Sequence, residues 1–219
     1  MINKKFIKQY IHSQAVLPKI DLVLSISEQR SRDILATNDW YKDLYIDPSV
    51  DIVNSHPQVT QQVREELIDF LELLMKNDTK KMLQIGLGHW ASTHFILSLL
   101  LDHMTTIEYD SEFIDRYKPE MDDDFETVIC GDSTLVHEDL DEQFDAVFID
   151  GNHSYEYVKK DLENYLPKVR EGGIIALHDV NFEGDRYGSP RVLRESGFKW
   201  NFISYSKEVG IAYIIKGEE

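Results

Sequence analysis

Two kinds of apolar spacing alternate along the chain. Short, nearly continuous apolar runs are typical of strands buried on both faces of a sheet, whereas apolar residues three or four positions apart are typical of helices. The runs predict five strands, which are Met82–Ile85, Thr105–Asp110, the segment ETVIC that leads into Gly131 and Asp132, Ala146–Ile149 and Ile174–Asp179. Because helical patterns separate these runs, the sequence predicts an α/β fold with a doubly wound, mostly parallel sheet and helices on both faces.

The end of the chain follows a different pattern. Ser189 and Pro190 predict the N-cap and the first-turn proline of a helix that runs to about Ser196. Two further apolar runs, KWNFISYS and GIAYIIKG, are separated only by the short turn 207–209. They predict an antiparallel hairpin that completes a seven-stranded, Rossmann-like sheet.

The first 58 residues lack a clean period and are punctuated by Pro18, Pro48 and Pro57. They predict an N-terminal extension of short helices, residues 1–58, that covers the main domain, residues 59–219, as a lid or as the contact of a homodimer. Four lysines and no acidic residue lie in the first twenty positions. The simplest interpretation is a solvated basic arm that docks on its own domain.

The charge balance excludes some classes of partner. The chain has 219 residues, and its 40 acidic and 23 basic side chains give a formal net charge of −17. A surface of this sign repels the phosphates of nucleic acids and anionic lipids, so we expect neither nucleic acid nor a membrane as a partner. The single cysteine, Cys130, permits no internal disulfide and fits a reducing compartment. No apolar run approaches the roughly 20 residues that span a bilayer, and we expect a cytoplasmic protein.

A glycine-rich turn, Gly86-Leu87-Gly88, joins the first strand to a helical pattern from about Ala91 to Leu101. Glycine permits positive φ and a close approach of the backbone to a ligand, while the free N–H groups of the following helix point toward that ligand. The pattern predicts the opening of a nucleotide-binding α/β unit.

Polar residues follow the ends of the predicted strands, where ligands bind in sheets of this kind. Glu108 ends the second strand about 20 residues beyond Gly88, the spacing of an acid that accepts both ribose hydroxyls of a nucleotide. Asp110 is a weaker competitor and better suited to cap the next helix. Asp132, after the third strand, could accept a hydrogen bond from an adenine amino group or could stabilise its own turn.

A second group of polar residues follows the fourth and fifth strands, namely Asp150, His153, His178 and Asp179. Two carboxylates and two imidazoles near one edge could bind a divalent metal, although strand-end acids often bind helix N–H groups instead. A histidine side chain accepts a proton near neutral pH, so His153 is a candidate general base. Aromatic residues near the same edge either flank a substrate or fill the core; they are Trp90, Tyr155, Tyr157 and Tyr187.

Together these segments resemble a known family. The loop LQIGLGHWAST, the acid in TTIEYD, the segment GDS and the long segment FDAVFIDGNHSYEYVKKDLENYLPKVREGGIIALHD resemble class I S-adenosylmethionine-dependent methyltransferases. The likeness is greatest to small-molecule O-methyltransferases of the catechol O-methyltransferase type, and it covers about residues 60–217. The resemblance implies transfer of a methyl group from S-adenosylmethionine to an oxygen of a small molecule.

The resemblance also implies roles for individual residues. It implies a cofactor site built from Gly86, Gly88, Ser92, Glu108, Asp132, Ser133 and Asp150. Asp150 and Asp179 match the two aspartates that hold magnesium in the catechol-type enzymes. His153 stands where that family has its lysine general base, so His153 and Asp150 are the implied catalytic residues.

Two positions depart from the family pattern. The asparagine that follows the second metal aspartate is Val180 here, so His178 or Asn181 must replace it if the third metal ligand is kept. The third glycine of the loop is absent, with Ala91 at its place. The alternatives are a nicotinamide-dependent oxidoreductase, a metal-dependent hydrolase built on the second group of polar residues, and a binding module that retains only the cofactor site.

Overall fold

The computed structural model describes residues 4–37, 63–88, 90–182, 186–204 and 209–218. Within these residues seven strands are β1 (Lys81–Ile85), β2 (His103–Glu108), β3 (Glu126–Cys130), β4 (Phe144–Ile149), β5 (Val169–His178), β6 (Asn201–Ile203) and β7 (Ile211–Ile215). They form one sheet in the order β3-β2-β1-β4-β5-β7-β6.

The pairing of the strands confirms the predicted fold. All neighbours from β3 to β5 pair in parallel, whereas β7 pairs antiparallel with both β5 and β6. The chain order reverses between β1 and β4, so a crevice lies outside the carboxyl ends of these two strands. In open α/β sheets such a crevice is the binding site.

Eight α-helices are found in the described ranges. They are α1 (Lys4–His12), α2 (Val16–Thr37), α3 (Arg64–Lys76), α4 (Ser92–Leu100), α5 (Ser111–Tyr117), α6 (Ser133–Val136), α7 (Tyr155–Tyr165) and α8 (Ser189–Glu195). Gly188, and not the predicted Ser189, is the N-cap residue of α8, and Pro190 lies in its first turn. None of the helices in these ranges combines the length and apolar character that crossing a membrane requires.

The fifth strand begins earlier than predicted. The predicted strand starts at Ile174, whereas β5 starts at Val169 and passes through Gly172 and Gly173, a glycine pair that in a sequence is typical of a helix end. A Cβ atom on Gly173 would lie 2.6 Å from the carbonyl oxygen of Asp145, so only glycine allows β5 to pass this close to β4. The register between the two strands shifts at the same point.

Apolar side chains cover both faces of the sheet. On one face α1 and α2 pack with α3 and α4, and Ile11, Val23, Phe70 and Phe95 are fully buried there. On the other face α7 and α8 pack over β4 and β5, with Tyr165 fully buried. At 22 residues, α2 is longer than the short helices predicted for the extension. Residues 38–58 of the predicted extension lie outside the described residues.

A buried ionic group joins α1 to the main domain. Nζ of Lys4 donates to Oε1 of Glu126 at 2.5 Å and to Oη of Tyr117 at 2.6 Å. Nε2 of His94 lies 2.8 Å from the other carboxylate oxygen of Glu126, and its Nδ1 lies 2.7 Å from Oγ1 of Thr106. We call these five residues the Glu126 cluster.

Burial and charge act in opposite directions in the Glu126 cluster. Burial alone would raise the pKa of Glu126, but the hydrogen bond from His94 and the charge of Lys4 lower that pKa to about 2. Burial lowers the pKa of Lys4 and the pKa of His94, and it raises the pKa of Tyr117. The carboxylate is therefore held ionised in the interior by its neighbours.

The N-terminal lysines dock on the domain, but the prediction of a solvated arm is wrong for two of them. Lys4 and Lys8 are only 4% and 7% exposed, because each ammonium group has polar partners inside the protein. For Lys8 these are the carbonyl oxygens of Ser98 and Asp102, at 3.1 Å and 3.2 Å. Only Lys5, which faces Asp124 at 3.3 Å, forms an exposed surface pair.

Candidate functional site

The first glycine of the loop after β1 is required by packing. Gly86 has φ +93°, and a Cβ atom there would lie 2.2 Å from the carbonyl oxygen of Asp150. Its N–H donates to the carbonyl oxygen of Ile107 at 2.9 Å. The loop is therefore fixed between the ends of β2 and β4, and the close approach predicted for Gly86 is an approach to the backbone of the chain itself.

The second glycine of the loop faces open space. Gly88 has φ +70°, and a Cβ atom there would meet nothing within 4 Å. Ala91, which stands at the place of the missing third glycine, also has a left-handed backbone with φ 52° and precedes α4 as its N-cap. A non-glycine residue in this conformation is strained, and such strain is concentrated at ligand-binding sites.

Glu108 connects the end of β2 to the glycine loop. Its Oε2 accepts hydrogen bonds from the backbone N–H groups of Leu87 at 2.7 Å and Gly88 at 3.2 Å. Its Oε1 accepts from the N–H of Asp110 at 2.8 Å. The predicted ribose acid and the predicted loop thus meet at one place. Because each carboxylate oxygen has two lone pairs, acceptor capacity remains for a bound hydroxyl group.

The next two acids cap helices. Oδ1 of Asp110 accepts from the N–H of Glu112 at 2.9 Å, which is the capping role expected for Asp110. Oδ1 of Asp132 accepts from both the N–H and the hydroxyl of Thr134, at 2.9 Å and 2.7 Å. The turn role weighed for Asp132 is therefore present, and its second oxygen lies 3.4 Å from the hydroxyl of Tyr157.

Two further residues of the predicted cofactor site, Ser133 and Ser92, are buried. The carbonyl oxygen of Ser133 accepts from the hydroxyl of Tyr165 at 2.6 Å, which holds the turn after β3 against α7. Ser92 is the first residue of α4 and is 5% exposed. Tyr109, which sequence reasoning did not single out, follows Glu108 at the end of β2 and is 78% exposed. Its position directly after a strand-end acid could have marked it in the sequence as a residue near the ligand.

Asp150 and Asp179 meet at the ends of β4 and β5, with His178 between them. Nδ1 of His178 lies 3.1 Å from Oδ1 of Asp150 and 3.2 Å from Oδ1 of Asp179. Burial alone would lower the pKa of His178, but the charge of Asp150, assisted by Asp179, raises that pKa to about 10. His178 is therefore a buried cation that neutralises part of the charge of two carboxylates.

His153 completes the group on its solvent side. Its Nδ1 lies 3.1 Å from Oδ2 of Asp179, and its side chain is 46% exposed. Asp179 has φ 57°, one of three positive-φ residues other than glycine in the described ranges. We call Asp150, His153, His178 and Asp179 the Asp179 cluster. The structure brings together all four residues that the sequence indicated.

The donor atoms of the Asp179 cluster can be tested against a metal ion. Asp150, His153 and Asp179 each offer one ligand atom, and these atoms lie within 4.8 Å of one another. These three residues therefore fit a divalent cation with oxygen and nitrogen ligands. His178, named as a tentative ligand, instead directs Nδ1 at the two carboxylates. Val180, at the position of the family's asparagine, is only 5% exposed and has no ligand atom.

Two aromatic rings flank His153. Phe182 and Tyr187 stack with ring centroids 3.9 Å apart and an interplanar angle of 8°, and Tyr187 lies 5.0 Å from the ring of His153. Tyr187 was among the rim aromatics indicated by the sequence, whereas Phe182 was not singled out. Of the other rim aromatics, Tyr155 donates from its hydroxyl to Glu195 at 2.6 Å, and the hydroxyl of Tyr157 lies 3.4 Å from Oδ2 of Asp132.

A family model matches the part of the chain that forms this site. Residues 83–180 match a family described as a methyltransferase domain. The matched segment extends from β1 to the residue after Asp179, so it contains the glycine loop, Glu108 and the whole Asp179 cluster. No curated protein matches the sequence.

Solved structures of methyltransferases share the fold. An O-methyltransferase from Bacillus cereus, solved in complex with SAH, aligns with a TM-score of 0.62 at 17% identity over 87% of this chain and 90% of that chain. A candidate caffeoyl-CoA O-methyltransferase from Staphylococcus aureus aligns with a TM-score of 0.59 at 20% identity over 98% and 99%. The N-methyltransferase NodS from Bradyrhizobium japonicum aligns with a TM-score of 0.55 at 14% identity over 70% and 95%. The predicted methyltransferase fold is confirmed.

Proposed function

We propose that the chain is a class I S-adenosylmethionine-dependent methyltransferase and that it transfers a methyl group from S-adenosylmethionine to an oxygen of a small molecule. One observation carries the proposal. The carboxylate of Glu108 is bound to the amides of Leu87 and Gly88 at the crevice between β1 and β4, the place where such a fold binds its nucleotide.

In this proposal three groups of residues around the crevice bind the methionine portion, the ribose and the adenine of the cofactor. The exposed backbone at Gly88 and the start of α4 at Ser92 face the methionine portion, and Oε1 of Glu108 accepts a ribose hydroxyl. Asp132, Ser133 and the exposed ring of Tyr109 surround the adenine. Support comes from the packing at Gly86 and from the bonds of Glu108, which hold these elements in fixed relation before any ligand binds.

The Asp179 cluster supplies the proton chemistry. The sulfonium of S-adenosylmethionine carries an activated methyl group, so the protein must align the acceptor and remove one proton. We assign proton removal to His153. With Nδ1 facing Asp179, Nε2 accepts the proton of the acceptor hydroxyl as the new C–O bond forms and the C–S bond breaks. The products are the methyl ether and S-adenosylhomocysteine, and the proton leaves from His153 to solvent.

Phe182 and Tyr187 define the acceptor side of the site. Their stacked rings form an apolar wall next to His153, and flat or ring-shaped molecules pack well against such a surface. We therefore propose an acceptor that carries its hydroxyl group on a ring, with the ring against Tyr187 and the hydroxyl at His153. The net charge of −17 favours a neutral or cationic molecule over an anionic one.

A metal-assisted reaction is the second candidate, because the geometry of three side chains favours it. Asp150, His153 and Asp179 would hold the ion, and a bound divalent cation would lower the pKa of the acceptor hydroxyl and fix its oxygen. The two candidates differ in whether chelation stops the reaction, because only the second needs the ion.

The test is to follow S-adenosylhomocysteine formation while the purified protein is incubated with S-adenosylmethionine and a panel of hydroxylated ring compounds. We expect at least one acceptor to give product that depends on enzyme concentration. The same assay after exhaustive chelation separates the candidates. Turnover that survives assigns the step to His153 and Asp179, whereas turnover restored by Mg²⁺ assigns it to the ion. Product formed with NAD⁺ and an alcohol instead would support the oxidoreductase alternative.

A further inference from the structure

Arg30 reaches from α2 to the segment between the glycine loop and α4. Its Nη2 donates to the carbonyl oxygen of Trp90 at 2.8 Å and to Oε1 of Glu120 at 2.8 Å, and its Nε donates to Oε2 of Glu120 at 2.6 Å. The guanidinium carbon lies 4.7 Å from the centroid of the Phe95 ring. Arg30 is only 5% exposed, so this is a fixed, interior contact.

The carbonyl of Trp90 belongs to the short segment that joins the glycine loop to α4. Trp90 follows the glycine loop and directly precedes Ala91, whose left-handed conformation turns the chain into α4. The loop is held by β2 on one side, through Ile107 and Glu108, and by the backbone of Asp150 on another. Arg30 is a third support, and it comes from the N-terminal helices outside the segment that matches the methyltransferase family.

Burial of this arginine is costly, which argues against a role in stability alone. Its Nη1 is buried and has no hydrogen-bond partner within the part of the chain that the structure describes. Replacing a buried ion pair by apolar side chains is often neutral or stabilising, so a pair of this kind is weak evidence for stability. The two fixed donors of a guanidinium can hold Glu120 and a backbone carbonyl in one plane, which an apolar side chain cannot do.

We infer that Arg30 is a positioning residue for the cofactor, since it fixes the carbonyl of Trp90 and thereby the backbone that presents Gly88. The inference rests on the proposed function. α2 then contributes to cofactor affinity without touching the cofactor. Arg30 acts through Trp90 and Ala91, whereas Glu120 neutralises the guanidinium and is not required for the bond from Nη2 to the carbonyl of Trp90.

The test compares four variants, Arg30→Lys, Arg30→Gln, Glu120→Gln and Arg32→Gln. Arg32 is the matched control because it lies on the same helix, is 54% exposed and lies 4.0 Å from Glu28. For each protein we would measure the affinity for S-adenosylhomocysteine by calorimetry, the melting temperature, and the amide hydrogen exchange of residues 86–100 in the free protein. Arg30→Lys keeps the buried charge near Glu120 and carries the test if Arg30→Gln does not fold.

We expect Arg30→Gln and Arg30→Lys to weaken S-adenosylhomocysteine binding at least tenfold and to accelerate exchange at residues 86–100. Glu120→Gln should weaken binding less than threefold even if it lowers the melting temperature as much as Arg30→Gln does, and Arg32→Gln should change none of the three readouts. Both Arg30 variants binding within threefold of the wild type, or Glu120→Gln losing as much affinity as Arg30→Gln, would overturn the inference. A wild-type protein that binds no S-adenosylhomocysteine would overturn the proposed function, and the exchange measurement would still decide whether Arg30 holds the loop.

Discussion

The Glu126 cluster and the Asp179 cluster both combine histidine and carboxylate side chains beside the same sheet, but they differ in exposure and in backbone conformation. In the Glu126 cluster each polar group has a partner, and the side chains of Lys4, His94 and Glu126 are at most 3% exposed. In the Asp179 cluster His153 is 46% exposed and Asp179 has a left-handed backbone. The first cluster fastens a helix to the domain, and the second faces the crevice.

The electrostatics of the two clusters also differ. In the Glu126 cluster burial lowers the pKa of His94, so the histidine is neutral and Lys4 supplies the cation. In the Asp179 cluster two carboxylates overcome the effect of burial and raise the pKa of His178 to about 10. Histidine is therefore neutral in the Glu126 cluster and positively charged in the Asp179 cluster. Composition alone does not distinguish the two clusters, whereas exposure and backbone strain do.

The largest expected effect is the loss of activity on removing the exposed histidine of the Asp179 cluster. His153→Ala should lower kcat by roughly 10²- to 10⁴-fold, the usual contribution of a general base, because His178, the other histidine beside Asp179, is buried and already protonated. Steady-state kinetics with the acceptor found in the turnover assay would measure this.

The control is His103→Ala, which removes a histidine at the opposite, amino end of β2. It should leave kcat within threefold of the wild type. A His153→Ala protein that keeps full turnover would remove His153 from the mechanism. The Asp179 cluster would then no longer differ from the Glu126 cluster in function.

The next effect is a loss of stability in the Glu126 cluster. Glu126→Gln removes the charge that neutralises the buried Lys4, and breaking a buried pair in this way costs roughly 3 to 5 kcal/mol of the free energy of unfolding. Urea denaturation would measure the loss, and S-adenosylhomocysteine affinity should stay within threefold.

Lys4→Met in the Glu126→Gln background tests why Glu126→Gln lowers the free energy of unfolding. If an unpaired ammonium group is responsible, the double variant should recover part of the lost stability. A large loss of cofactor affinity in the folded Glu126→Gln protein would instead give this cluster a functional role.

Acid should weaken the Glu126 cluster in a defined range of pH. The pKa of Glu126 is about 2 in the folded protein against an ordinary value of 4.5, so its contribution is fully present above pH 4.5 and is lost as the pH falls toward 2. The shift corresponds to about 3 kcal/mol. The groups facing Glu126 are Lys4, His94 and Tyr117, and the lowered pKa of His94 adds a loss that begins below its ordinary value of 6.5.

Unfolding measured from pH 7 to pH 2.5 in the wild type and in Glu126→Gln isolates this contribution. The difference in unfolding free energy between the two proteins should narrow as the pH falls below 4.5. A difference that stays constant down to pH 2.5 would contradict the lowered pKa of Glu126.

The smallest effect is expected at the neighbouring lysine. Lys5 pairs with Asp124 at 3.3 Å, but both side chains are about two-thirds exposed. Such a surface pair contributes little, so Lys5→Gln should change the free energy of unfolding by less than about 0.5 kcal/mol. If Lys5→Gln were as destabilising as Glu126→Gln, burial would not be what distinguishes these lysines.

The sheet and the crevice could be predicted because their signals are local. Apolar runs indicated the five parallel strands, and the short turn predicted at 207–209 indicated the hairpin. Glu108 could be assigned to the loop because its position at the end of β2, about 20 residues beyond Gly88, fixes where its side chain lies. The same reasoning brought Asp150, His153, His178 and Asp179 to one edge before any distance was known.

The parts that could not be predicted depend on contacts between distant segments. Glu126 looked like the first residue of an ordinary strand, and only its pairing with Lys4, 122 positions away, makes it an interior anion. Gly172 and Gly173 resembled a helix end because nothing in the local sequence reveals that β4 passes 2.6 Å from a Cβ at Gly173. Arg30 carried no motif, since its partners are a backbone carbonyl and an acid 90 positions away.

The role of Glu108 in cofactor binding can be tested by a calorimetric titration of the wild type, Glu108→Ala and Asp110→Ala with S-adenosylhomocysteine and with NAD⁺. We expect the wild type and Asp110→Ala to bind S-adenosylhomocysteine, Glu108→Ala to bind it at least tenfold more weakly, and none of them to bind NAD⁺. Asp110 is the suitable control because its side chain caps α5, whereas the side chain of Glu108 holds the loop amides. A folded wild type that binds no S-adenosylhomocysteine, or a Glu108→Ala protein that binds it as tightly as the wild type, would contradict the proposed cofactor site.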